Sequence, residues 1–80
     1  MKTIVYADLF DQYNTSTKVW EGNLDAVPRE GDVIFIFDGW GGAPVRRVYW
    51  ELDDNSVELH INDPNGSYRD EMSKPAPKED

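Results

Sequence analysis

One histidine and no cysteine limit the chemistry open to this 80-residue chain. A Ser- or Tyr-based nucleophile would need His60 as its base. The alternation Val57-Glu58-Leu59-His60-Ile61 sets His60 mid-strand beside Tyr49, as a surface cross-strand pair and not at a loop tip. Glu51 and Glu58 are the carboxylates that acid–base work on a glycoside would use, but that chemistry needs a deep cleft, which a chain of this length seldom builds. Asp53-Asp54-Asn55 and Asp63-Pro64-Asn65-Gly66 are rich in oxygen ligands, yet neither has the Asp-x-Asp-x-Asp-Gly spacing that wraps calcium. Turn chemistry explains both. The glycines at 39, 41 and 42 are followed by no Lys-Ser/Thr and no helix start, so they do not form a phosphate cradle. Neither an enzyme nor a cofactor or metal site is expected. Asn14-Thr15-Ser16 and Asn65-Gly66-Ser67 match the glycosylation pattern, read as chance in a chain whose first residues do not resemble a signal peptide.

Binding is better supported than catalysis. Sixteen acids against eight bases give a formal charge of −8, which repels nucleic acid and anionic membranes. Between Val48 and Gly66 there is no Lys or Arg, while Glu51, Asp53, Asp54, Glu58 and Asp63 are all present. A basic protein surface is the natural electrostatic partner, with solubility as the plainer reading of the same acids. Arg46-Arg47 is too short for a nucleic-acid patch. No segment approaches the roughly 18 apolar residues needed to span a bilayer, and the expected location is the cytoplasm.

The elements that must position these residues are strands. Residues 3–10 and 17–24 read as a first hairpin around the polar stretch 11–16, with Ala7 opposite Trp20 and Leu9 opposite Lys18. Pro28-Arg29-Glu30-Gly31-Asp32 is a turn in which Pro fixes φ and Gly31 can take positive φ. Val33-Ile34-Phe35-Ile36-Phe37 is apolar throughout, so both faces of that strand call for cover, from a bent barrel or from another subunit. Val45 is out of phase with Val48, Trp50 and Leu52, which predicts a bulge near Arg46. The hairpin 45–61 is the most regular feature. Pairing Leu52 with Val57 sets Trp50 against Leu59, Tyr49 against His60 and Glu51 against Glu58. Two carboxylates placed directly opposite each other cost stability, the mark of a surface selected for something else. A short strand or helical turn follows at 67–72, and residues 73–80 read as a flexible tail to a single domain of residues 1–72.

Trp40, set among glycines, is either an interface anchor or a lid over the open end of a barrel. Trp20 and Trp50 are expected in the core. A small-ligand or carbohydrate module would use Trp40, Tyr49 and Tyr13. A self-associating structural subunit would use the strand 33–37, so monomer and homodimer both stand.

Pro28-x-x-Gly31-Asp32-x-Ile34, followed by Val45-x-x-Val48-x-Trp50 and a final alternating strand, resembles a pattern of small SH3-like β-barrel proteins of phages and other mobile elements. The likeness covers residues 27–61 and rests on turn and core residues. It implies a compact barrel, and some small acidic phage proteins of this kind block a host defence or nucleic-acid-handling protein. No catalytic residue carries over. The expectation is therefore an all-β, antiparallel SH3-like barrel or sandwich of about five strands, acting as a binding protein. Its contact residues are Trp40, Tyr49, Glu51, Asp53, Asp54 and Glu58, and as an inhibitor it would mimic nucleic acid on a basic host protein.

Overall fold

A computed structural model describes residues 1–10 and 12–74. Five strands and one short helix follow in chain order: β1 (Lys2–Leu9), β2 (Thr15–Asn23), β3 (Val33–Ile34), β4 (Ala43–Glu51), β5 (Ser56–Asn62) and α1 (Ser67–Ser73). The strands form one curled sheet in the order β2-β1-β5-β4-β3. The all-β, five-stranded class is as expected, but the sheet is mixed and not wholly antiparallel. β1 lies between β2, its antiparallel hairpin partner, and β5, with which it runs parallel. β2 and β3 are left as the two edges, so the curl stays open along one seam.

Alternation decides the two faces. Thr3, Val5 and Ala7 of β1 point inward with Val57, Leu59 and Ile61 of β5, and the last three are fully buried. Val19, Ala43, Val45 and Tyr68 complete the core. Two bulges set the frame. One, predicted near Arg46, lies between Val45 and Arg47. The other leaves Val19 unpaired between Lys18 and Trp20 and moves the first hairpin out of its expected register. Ala7 therefore faces Thr17, Trp20 faces Val5, and the bulged Val19 takes the core place while Trp20 stays 37 % exposed.

The turn at 28–32 forms as expected. Gly31 has φ 94°, the Arg29 amide donates to Asp32 Oδ2 at 2.8 Å, and the Gly31 amide donates to the Val45 carbonyl at 2.8 Å. The strand expected over 33–37 is much shorter, because β3 pairs at only Val33 and Ile34. The chain then turns away with Val33 and Phe35 exposed and Ile36 and Phe37 half-buried.

The last element is a helical turn, one of the two forms expected. α1 is held by Asp63, which is buried and accepts from the amides of Tyr68 at 3.0 Å and Arg69 at 3.1 Å. The start of the helix thus finds its acceptors in a carboxylate three residues upstream of the N-cap Gly66. Ser73, where the flexible tail was expected to begin, is the last residue of α1, and the tail from residue 75 lies outside the described residues.

Candidate functional site

The β4–β5 hairpin carries most of the residues expected to make contact, in a register two residues from the predicted one. Asn55 adopts the left-handed region at φ 51°, which Asn tolerates, and so closes the turn one residue earlier, over 52–55. Glu51 then faces Ser56, Trp50 faces Val57, and Tyr49 faces Glu58. The opposed Glu51–Glu58 pair is therefore absent, and no directly opposed carboxylates mark this face as selected against stability. A slip of two keeps every side chain on its own face. Its main effect is to turn Leu52 from a strand residue into a turn residue, 86 % exposed.

The hairpin tip is both acidic and apolar. Glu51, Asp53 and Asp54 are exposed, and none of them makes an ion pair with another described residue. Between and beside them stand Leu52 and Trp50, the latter 54 % exposed and not in the core as expected. Trp50 is on the inward face, but the short β3 does not extend far enough to cover it. Instead it lines a depression with Val27, Pro28, Arg29, Glu30 and Val48.

Glu58 and Tyr49 belong to a second constellation, on the outer face, built around His60. His60 Nδ1 lies 2.9 and 3.0 Å from the two carboxylate oxygens of Asp8 across the parallel β1–β5 join. Its Nε2 lies 3.6 Å from Glu58 Oε2, is buried, and makes no hydrogen bond. The ring stacks on Tyr6 at 5.3 Å and meets Tyr49 edge-on at 5.1 Å. Ser16 donates to Asp8 at 2.7 Å, and Arg47 Nη1 donates to the Tyr49 hydroxyl at 3.2 Å. That hydrogen bond, and then the negative charge of Tyr49 once its phenol ionises, raises the Arg47 guanidinium above its ordinary pKa. Asp8 and Arg47 were not expected here. The parallel pairing that brings Asp8 to His60 leaves no mark in the sequence.

The order Ser16–Asp8–His60 differs from a nucleophile–base–orienter relay, in which the imidazole stands between hydroxyl and carboxylate. The free nitrogen, Nε2, is covered where a base would have to face substrate. The arrangement is that of a clamp joining β1, β4 and β5. Among the described residues no group of three His, Asp or Glu is placed to hold a metal ion, and no helix is long and apolar enough to cross a membrane.

Trp40 is half-buried, with its ring 4.9 Å from Tyr68 and 5.0 Å from Phe37. This packing sets Trp40 against the core beside α1, and it is not among the residues that line the open seam. No ring contact joins Trp40 to Tyr49, so the structure does not assemble these two into one ligand platform.

Comparison with protein-family models, with curated proteins and with solved structures finds no match.

Proposed function

We propose that this chain is a non-enzymatic acidic binding protein that docks on a basic surface of another protein through the β4–β5 tip. The observation that carries the reading is the set of acids Glu51, Asp53 and Asp54, which form no ion pair with any described residue, around exposed Trp50 and Leu52. Acids crowded on a short turn repel one another, and a large apolar side chain in water gains nothing. A partner that presents Lys or Arg around an apolar pocket relieves both penalties, with aromatic and apolar side chains as anchors and charge supplying rate and specificity. The closely spaced negative charge also suits a groove built for phosphates. The concrete form of the proposal is an inhibitor, encoded by a phage or mobile element, that occupies such a groove in a host nucleic-acid-handling or defence protein.

Glu58 supports the hairpin more than the contact, since it is half-buried against His60. The test variant is therefore E51K/D53K/D54K. Its expected behaviour is loss of a partner that the wild-type chain retains at low salt and releases at high salt. Retention of the same partner by wild type and variant alike would overturn the reading.

A further inference from the structure

The open seam of the sheet is lined by a groove of about 390 Å3 whose lining residues are all apolar, with Val5 and Leu59 at its floor. Two aromatic rings wall it, and each is seated over a glycine. The Trp20 indole covers Gly22, where a Cβ would come within 2.6 Å of its Cη2. Phe35 and Val33 cover Gly42, where a Cβ would come within 3.0 Å of the Phe35 ring and closer still to Val33. Any side chain at either glycine would push its wall aside. Phe35 is 73 % exposed and Val33 57 %, so these walls face water and not a core.

The groove also leads somewhere. Ala26 and Pro28 also line a neighbouring depression with Val27 and Asp32, and Val27 and Pro28 in turn line, with Arg29 and Glu30, the depression that holds Trp50. A track thus runs from the apolar groove at Phe35 and Trp20, over Pro28 and past the charged side chains of Asp32, Arg29 and Glu30, to Trp50, which Glu51, Asp53 and Asp54 follow in the chain. Resting on the proposed function, we infer that this track is the second half of the same recognition surface. Its occupant is an amphipathic basic segment of the partner, which lays apolar side chains along the groove and sets its Lys or Arg residues against the tip. Charge selects that occupant. A second copy would bring another −8 to the seam. A fatty acid or other anionic amphiphile would set its head group among the acids. A cationic amphipathic segment meets both the apolar lining and the acidic end.

The test uses the whole protein, 15N-labelled, titrated with a 14-residue peptide of Leu and Lys in amphipathic order and with its Leu–Glu counterpart. The Leu–Lys peptide is expected to shift the Trp20 indole resonance and the amides of residues 33–36 together with those of 50–54. Phe35→Ser, a change at an exposed side chain, should weaken binding at least tenfold, and the Leu–Glu peptide should leave the spectrum unmoved. Movement of the tip amides without the groove would overturn this inference and leave the tip reading standing. Equal response to both peptides, or groove shifts on simple dilution of the protein, would overturn it in favour of an uncharged ligand or a second copy. A spectrum unmoved by either peptide would count against both readings.

Discussion

Asp8 and His60 stand 52 residues apart in the chain and meet at 2.9 Å, through Nδ1, on the outer face of the sheet. They join β1 to β5, the one parallel pair among neighbouring strands, which no short turn can connect. The contact therefore ties the first hairpin to the second. The side chains of both residues are more than four-fifths buried, and Tyr6 and Tyr49 cover the ring.

Removing either partner should cost about 1.5–3 kcal/mol, the range for a hydrogen bond to a charged group. Asp8→Ala and His60→Ala are expected to lower the urea midpoint by comparable amounts, and the double variant by much less than the sum. Additive losses would mean that the two side chains stabilise the fold separately.

Asp63 is buried and satisfies two amides at the start of α1. Asp63→Ala should cost about 2 kcal/mol or more, because it leaves buried donors without acceptors. Asp63→Asn, which keeps one oxygen, should cost less. Since α1 carries Tyr68 over Phe37 and Trp40, the Ala variant should also red-shift tryptophan emission. A native spectrum and an unchanged midpoint would contradict the capping role.

Tyr68 makes stability depend on alkaline pH. Burial, and then the Asp63 carboxylate, push its phenol pKa above the ordinary value. The folded chain holds that proton more tightly than the unfolded chain does. The contribution is therefore complete below about pH 10 and is lost as pH rises through the folded value. Tyr68→Phe should flatten this alkaline loss in melts recorded across that range. An unchanged alkaline slope would show that other groups carry it.

Gly22→Ala and Gly42→Ala test the walls of the groove. At Gly22 the Cβ would meet the outer ring atoms of Trp20, so the stability cost should be about 1–2 kcal/mol. At Gly42 it also meets the stiff, β-branched Val33 of β3, so the cost there should be higher, about 2–3 kcal/mol. The larger effect should fall on the Leu–Lys peptide, whose affinity drops as Trp20 or Phe35 is displaced. Unchanged affinity in both variants would show that ring placement does not shape the track.

Much of the architecture was legible in the residues because alternation reports faces directly. Val57, Leu59 and Ile61 alternate with Glu58, His60 and Asn62, and all three are buried. Pro28–Asp32 has the composition of a turn, and the phase of Val45 implies the bulge by Arg46. What alternation does not report is register and partner choice. One residue's left-handed backbone, at Asn55, moved the second hairpin by two positions and turned Leu52 outward. The unpaired Val19 did the same for the first hairpin and kept Trp20 from the core place assigned to it. The strand expected at 33–37 failed at Phe35, because an apolar run shows that cover is wanted without showing where it comes from. Of the contact residues named from sequence, Glu51, Asp53 and Asp54 stand at the tip. Glu58 and Tyr49 are engaged by His60 and Arg47, and Trp40 packs on Tyr68.

Whether the β4–β5 tip binds a basic partner is decided by one comparison of three chains. Wild-type protein, E51K/D53K/D54K and W50A/L52A would each be immobilised at equal density and challenged with the same lysate, with retained proteins quantified at low and high salt. Wild type should hold one basic protein at near-equal stoichiometry, released by salt and lost from both variants. A retained set that is the same for all three would contradict binding through the tip.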